Sequence, residues 1–260
     1  MILITGFGGT IGGEFTRQLL AKGKEVVGVD NNEWAVAQFE DHPNLTKRLM
    51  NCKDITGNFD LVIHCAAYKH IDLIETNQDS GLENNVMVTR ELLNNVKFNR
   101  FLFMSTDKTV EPSSFYGWTK HEGEQMVKDA GGIVARLGNI LASTGSVIPR
   151  WEKCIDDGTP LPVTDPKMTR YMIPVDEAVS KMLKLLRNAK PGQVIIPEMG
   201  DPIKIEDLVH EVLLKHGKDD SYPCKIIGMR PGEKLDEKLK WDYEKTIFSN
   251  KHGEIVEGDE

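Results

Sequence analysis

The chain has 260 residues, a length for one domain with a small lobe attached, and enough to bury a core without disulfides or metals. Its 32 Lys and Arg against 40 Asp and Glu give a formal charge of −8. That excludes a nucleic-acid backbone as the main partner, because such binding rests on clustered basic residues. With 40% hydrophobic and 28% charged residues, wholesale disorder is excluded as well.

No apolar run approaches the roughly 18 residues of a membrane-spanning helix, so no membrane partner is expected. The N-terminus opens directly into the strand-like run Met1-Ile2-Leu3-Ile4, with none of the marks of a secretory signal. Cys52, Cys65, Cys154 and Cys224 are scattered and form no C-x-x-C pair. They read as free thiols of a reducing cytoplasm, and no metal site is expected from them.

In chain order, residues 1–5 form a short apolar strand. Residues 11–22 carry Ile11, Phe15, Leu19 and Leu20 at helical spacing and stop at Gly23. Residues 25–29 are a second strand, and 61–65 and 100–104 two more. Between them, residues 80–96 are helical in pattern, through Leu82, Val86, Leu92, Leu93 and Val96. A helix at 116–130 and a strand at 133–137 continue the alternation. Strand–helix repetition with continuously apolar strands predicts a parallel sheet covered on both faces. Beyond residue 140 the pattern changes, since every proline except Pro43 and Pro112 falls there, and such density breaks regular elements. Helices at 176–188 and 205–215 and a strand at 194–196 are still legible.

The loop Thr5-Gly6-Phe7-Gly8-Gly9-Thr10-Ile11-Gly12 stands between strand and helix and fits T-G-x-x-G-x-x-G through Gly6, Gly9 and Gly12. Glycines here permit a tight turn and let backbone N–H groups, those of Thr10 and Ile11 among them, approach a pyrophosphate at the helix N-terminus. The next strand ends at Asp30, placed to hold two ribose hydroxyls of an adenosine. Asn31-Asn32-Glu33 follow it, with no Lys or Arg for a 2′-phosphate, so NAD is favoured over NADP. Asp54-Ile55 stands either at an adenine edge or as an ordinary strand end. The fold class predicted is α/β: a doubly wound, Rossmann-type parallel sheet with a smaller, irregular C-terminal substrate lobe. Residues 1–138 and 172–198 are assigned to the dinucleotide-binding domain and 139–171 and 199–248 to the lobe. The acidic tail 249–260 is expected to be frayed.

Ser105-Thr106-Asp107-Lys108 follows a strand, and Tyr116-Gly117-Trp118-Thr119-Lys120 comes eight residues later. A Tyr and a Lys four apart on a helix share a face. The lysine favours the phenolate, which can take the proton of a hydroxyl as its carbon loses hydride. Y-x-x-x-K alone is a weak pattern. Joined to the glycine loop and an upstream hydroxyl residue, it is strong.

With these residues in place, the sequence resembles the extended short-chain dehydrogenase/reductases, and within them the polysaccharide-biosynthesis branch of inverting UDP-N-acetylglucosamine 4,6-dehydratases. The similarity is carried by His64-Cys65-Ala66-Ala67-Tyr68-Lys69-His70, Asn85-Val86, Ser105-Thr106-Asp107-Lys108, Arg136-Leu137-Gly138-Asn139, Gly145-Ser146-Val147-Ile148-Pro149, Val163-Thr164-Asp165-Pro166-Lys167-Met168-Thr169-Arg170-Tyr171 and Gly228-Met229-Arg230-Pro231-Gly232-Glu233-Lys234. With the glycine loop it runs from near residue 1 to about residue 240.

The resemblance implies a cycle that returns its cofactor. Tyr116 would deprotonate the C4 hydroxyl as NAD takes the C4 hydride, with Thr106 hydrogen-bonding that oxygen and Lys120 supporting the tyrosine. Lys108 would remove the C5 proton, and Asp107 would protonate the leaving C6 hydroxyl. A lysine acting as base must be neutral, so its pKa has to be depressed. Ala66, Ala67 and Lys69 would lie against the cofactor, with Lys69 also reaching substrate. Asn139, Val147, Arg170, Arg230 and Glu233 would hold the UDP-sugar, and Arg136 would either join them or form a structural ion pair. A UDP-sugar 4-epimerase is the alternative, and a non-catalytic dinucleotide sensor a third reading. A homo-oligomer is expected, through residues 80–96 and 116–130. Two features depart from the pattern: Asp30 and Asp54 are only 24 positions apart, as if one helix were reduced to a turn, and Trp118 is bulky where small residues are usual.

Overall fold

The computed structural model describes residues 1–141, 143 and 145–258. Strands β1 (Ile2–Thr5), β2 (Val26–Asp30), β3 (Leu45–Leu49), β4 (Gly57–His64), β5 (Val96–Thr106), β6 (Ile133–Leu137) and β7 (Val194–Pro197) are parallel in the order β3-β2-β1-β4-β5-β6-β7. The order reverses between β1 and β4. In an open parallel sheet, that is where a crevice forms beyond the strand ends.

Period-2 alternation along these strands builds two apolar layers. Ile4, Ile63, Leu102 and Ala135 face one side, under Phe15 and Leu19 of α1 (Thr10–Leu20) and Met182 and Leu185 of the helix Val175–Leu185. Leu3, Val62, Phe101, Phe103 and Val134 face the other, under Leu92 of the helix Val88–Asn95 and Val127 of the helix Phe115–Asp129. Each such side chain contributes roughly 1.5–3 kcal/mol when fully buried.

The remaining helices are α2 (Glu33–Gln38), α3 (Ile71–Thr76), α4 (Gln78–Leu82), α5 (Val88–Asn95), α6 (Phe115–Asp129), α7 (Val147–Asp156), α8 (Val175–Leu185) and α9 (Ile205–Lys215). A third apolar cluster joins Trp151 and Ile155 of α7 to Val209, Val212 and Leu213 of α9, with Leu161 and Val163 between them. Short two-stranded ribbons replace regular sheet here, as the proline density requires. Among the described residues no helix is long and apolar enough to cross a membrane.

Two departures from sequence expectation stand out, and one expectation is met. The helix expected at 80–96 is interrupted: α4 and α5 are joined by a wider π turn, Glu83–Met87, and Val96 already opens β5. Between β3 and β4 only a single 3₁₀ turn, Cys52–Asp54, remains, as the short spacing implied. The tail expected to be frayed is instead ordered. Strands β8 (Glu244–Asn250) and β9 (Gly253–Gly258) form a hairpin, and β9 adds antiparallel to β7. Ile255 and Val256, adjacent in sequence, are buried on opposite faces of the sheet. Two apolar residues suffice for a strand covered on both sides, and the flanking acids concealed them. Gly253 makes the hairpin possible, with φ +133° and only 2.1 Å from a Cβ position to the Ile196 carbonyl oxygen. Asp259 and Glu260 of the expected tail lie outside the described residues.

His64 ends β4 fully buried. Its Nδ1 lies 2.6 Å from Thr5 Oγ1 and its Nε2 3.0 Å from Thr89 Oγ1. Thr89 donates its own hydroxyl to the Asn85 carbonyl at 2.8 Å, so Nε2 carries the imidazole proton and Nδ1 accepts from Thr5. Burial, reinforced by the Lys120 charge, lowers the His64 pKa to about 3. The unfolded chain takes up this proton near pH 6.5 and the folded chain does not. Stability is therefore expected to fall as pH drops from about 6.5 towards 3, with the His64 ring resonance flat between pH 7 and 5. A ring titrating near 6.5 in the folded protein would contradict this.

Candidate active site

The glycine loop has the close contacts its pattern implies. Gly6 has φ +66°, and a Cβ there would stand 2.8 Å from the Ala66 nitrogen. A Cβ on Gly12 would stand 2.2 Å from the Gly6 carbonyl oxygen. Gly9 caps α1, and Thr10 opens it. The first N–H groups of α1 thus meet the ends of β1 and β4 at the reversal of strand order, a geometry suited to a pyrophosphate. Asp30 ends β2 beside the loop, where its carboxylate accepts the Gly8 N–H at 3.1 Å and the Asn32 N–H at 3.0 Å. Asp54 is exposed in the 3₁₀ turn while Ile55 is buried. Burial raises the Cys52 thiol to about 12, and the nearby Asp30 and Asp54 charges add to the shift.

Ala66, Ala67 and Lys69 occupy the irregular segment after β4. Asn85 clamps this segment to α6: it accepts the Tyr68 N–H at 2.8 Å and donates to the Tyr68 carbonyl at 3.0 Å and Thr119 Oγ1 at 3.1 Å. Lys69 Nζ reaches Ser143 Oγ at 3.5 Å, and burial lowers its pKa.

Thr106 ends β5, Asp107 and Lys108 lie in the 3₁₀ turn that follows, and Tyr116 and Lys120 stand on the first turns of α6. Ser114 caps this helix by accepting the Gly117 N–H at 3.0 Å. A Cβ on Gly117 would stand 2.4 Å from the Lys108 carbonyl oxygen. That close approach seats the helix on the turn and brings Tyr116 within hydrogen-bonding range of Thr106 and near Asp107 and Lys108. Thr106 Oγ1 donates to Asp107 Oδ1 at 2.9 Å. Burial raises the Tyr116 phenol to about 12, opposed by the Lys108 charge. Lys120 Nζ sits 4.0 Å over the Phe103 ring, and burial lowers it to about 8.

Lys108 does not have the environment of a ready base. Its ammonium lies 2.9 Å from Asp107 Oδ1 and 3.4 Å from Glu237 Oε1. Burial lowers its pKa, but the two carboxylates more than offset that, and the net direction is upward. A base requires the opposite shift.

The expected substrate residues are dispersed. Arg170, almost fully buried, donates from Nη1 to the Thr169 and Leu235 carbonyls at 2.6 and 3.0 Å and from Nη2 to the Lys234 carbonyl at 2.9 Å. It clamps the strap of residues 228–240. Arg230 and Glu233 lie on that strap, where the Arg230 N–H donates to Glu233 Oε2 at 2.8 Å. Asn139 pairs with Met172 in a ribbon, and Val147 opens α7. Arg136 is a structural ion pair: its guanidinium meets Glu124 at 2.6 Å and Glu244 at 2.5 Å, all three side chains buried. Trp118 is 38% exposed and stacks on Phe115 at 5.1 Å, an explanation available only from the structure.

Sequence reasoning missed two carboxylates. Glu124 accepts hydrogen bonds from Ser105 at 2.6 Å and Thr109 at 2.8 Å as well as from Arg136, which locks the base of the site. Its position eight residues after Tyr116 and four after Lys120, on one helical face, was the available signal. Glu237 had no local signal, because only the strap's path brings it to Lys108.

Replacing Gly12 by Ala is expected to force the loop off α1 and weaken binding of NAD, the expected cofactor, by about tenfold or more, ~1.4 kcal/mol, in a calorimetric titration. A Gly12→Ala protein that binds NAD like the wild type would contradict this role for the loop.

Residues 2–258 match the family model of the polysaccharide biosynthesis protein family. A probable polysaccharide biosynthesis protein, EpsC of Bacillus subtilis, is 32% identical over 289 residues, covering 99% of this chain and 48% of that protein. The inverting UDP-N-acetylglucosamine 4,6-dehydratase of Campylobacter jejuni serotype O:2 is 31% identical over 264 residues, covering 91% of this chain and 76% of that protein. Among solved structures, the dTDP-glucose 4,6-dehydratase DesIV of Streptomyces venezuelae, with NAD bound, superposes at a TM-score of 0.80. It is 22% identical and covers 92% of this chain and 88% of that one, a likeness of fold. The chain spans about half the length of the first curated relatives it matches, 48% and 44%. Motifs, fold and family match agree, and the chain belongs to the polysaccharide biosynthesis protein family.

Proposed function

We propose that the protein is an NAD-dependent nucleotide-sugar 4,6-dehydratase acting on UDP-N-acetylglucosamine with inversion at C5. One observation supports this reading most strongly: Thr106 and Tyr116 cluster with an acid–amine pair, the buried Asp107 and Lys108, with Lys120 one turn further along α6. An epimerase of UDP-sugars uses Thr106, Tyr116 and Lys120, but its chemistry makes no demand for Asp107 and Lys108.

NAD fits the residues present. Gly6, Gly9, Thr10, Ile11 and Gly12 would hold its pyrophosphate, Asp30 a ribose, and Asp54-Ile55 the adenine side, with Ala66, Ala67, Tyr116 and Lys120 towards the nicotinamide. When bound, the cofactor would supply an acceptor for the C4 hydride, the same hydride for C6 once water has left and, through its positive ring, a charge that favours the Tyr116 phenolate. Tyr116 takes the proton of the C4 hydroxyl while Thr106 hydrogen-bonds the same oxygen. The C4 ketone acidifies C5–H. Transfer of the Lys108 proton to Asp107 would leave a neutral amine that accepts the C5 proton and an acid that protonates the departing C6 hydroxyl, which leaves as water; a proton from solvent would then reach C5 on its opposite face. Arg230 and Glu233 on the strap, with Lys69, Asn139, Val147 and Arg170, form the UDP-sugar side. The same reading expects a homo-oligomer assembled through α6, where Trp118 stays exposed.

Incubation with UDP-N-acetylglucosamine and NAD is expected to give a product with a C6 methyl doublet in proton NMR. A product that keeps its C6 hydroxymethyl group with C4 inverted would make the protein an epimerase, and no conversion would contradict the proposal. Tyr116→Phe is expected to lower kcat by about 10²–10⁴.

A further inference from the structure

Glu237 belongs to no motif identified in the sequence, yet it is the second carboxylate on Lys108. Its side chain is 2% exposed, with Oε1 3.4 Å from Lys108 Nζ and Oε2 3.9 Å from Lys234 Nζ. Oε2 has no hydrogen-bond partner, and neither has the buried Asp107 Oδ2. The buried Glu124 fills both its oxygens with hydrogen bonds from Ser105, Thr109 and Arg136, as most buried polar groups do. These two acids instead flank one amine and keep capacity unused.

The strap fixes this position. Arg170 holds the Lys234 and Leu235 carbonyls. Lys234 Nζ donates to the Val110 carbonyl at 2.6 Å, and Ser113 Oγ to the Gly232 carbonyl at 2.9 Å. Lys238 pairs with Glu111 at 2.7 Å. The strap is thus fastened to the loop that carries Asp107 and Lys108, with Glu237 pressed between them. The charged and titratable groups facing Lys108 are Asp107, Glu237, Arg170 and Tyr116. Those facing Glu237 are Lys108, Asp107, Arg170 and Lys234.

We propose that Glu237 is a positioning residue of the reaction: its carboxylate holds the Lys108 side chain against Asp107 and sets when that amine is free to take a proton. This rests on the reading of Lys108 as the base at C5. Glu237 works from the segment that also carries Arg230 and Glu233, so the substrate lobe and the acid–base centre share one piece of chain. Burial raises the Glu237 carboxyl, opposed by the Lys108 charge.

The test follows Lys108 directly in the full chain, by NMR of protein labelled with 13C at lysine Cε, with the Lys108 signal assigned from a Lys108→Met sample. Removing the opposite charge while keeping the shape, as Glu237→Gln does, is expected to lower the Lys108 pKa by about 1–3 units. The base-dependent limb of deuterium uptake at product C5 should move by the same amount to lower pH. Glu237→Asp, which keeps the charge one methylene further back, should shift Lys108 less and in the same direction, and it carries the test if the Gln variant does not fold. An unmoved Lys108 in a folded variant overturns the proposal, because a purely structural Glu237 would leave that titration where it was. The lysine titration needs no substrate, so failure of UDP-N-acetylglucosamine turnover in the wild type sinks the dehydratase reading separately.

Discussion

The candidate site depends on one close backbone contact. Helix α6 begins so near the turn after β5 that Gly117 has no room for a Cβ against the Lys108 carbonyl. Without that approach Tyr116 would stand off from Thr106, and Lys120 would leave the Phe103 ring. β5 delivers Thr106, Asp107 and Lys108, the helix delivers Tyr116 and Lys120, and the missing side chain between them sets the distance. The Ser114 cap and the Asn85 clamp hold the two ends of this arrangement in register.

Charge burial around the contact is balanced in two distinct ways. At the base, Arg136 is enclosed by Glu124 and Glu244 with short bonds. Removing one partner of such a group is strongly destabilising, about 3–5 kcal/mol. This set also ties the C-terminal hairpin to α6, since Glu244 opens β8 and Glu124 lies on α6. At the mouth, Asp107, Lys108 and Glu237 are packed as closely but leave carboxylate oxygens without hydrogen bonds. In the first group Glu124 fills both oxygens with hydrogen bonds while Glu244 binds through Oε2 alone, and the group serves as anchor. The second holds one amine, Lys108, between two carboxylates.

Much of this was legible in the residues. The glycine loop, Asp30, Thr106, Tyr116 and Lys120 stand on regular elements, where spacing translates directly into geometry: period 2 along β1 and β5, and four residues along α6. What escaped was set by long-range contact. Ile255-Val256 could be recognised as a strand only once β7 offered an edge. Arg170 was legible as a cation, but its use as a clamp on backbone carbonyls depends on where the strap runs. Glu237 is 129 positions from Lys108, and no local pattern could join them. The expectation that Lys108 is poised as a base required a depressed pKa, and the neighbouring carboxylates reverse that direction.

The most direct test of the account is the Gly117→Ala protein, assayed for NAD binding, thermal stability and turnover of UDP-N-acetylglucosamine. A Cβ at that position should lift α6 from the Lys108 turn. The expected result is a folded protein that still binds NAD but whose turnover falls by about 10²-fold, the loss associated with misplacing a reacting group by an ångström. A Gly117→Ala protein with wild-type turnover would show that the contact does not set the catalytic geometry, and the account built on it would fail.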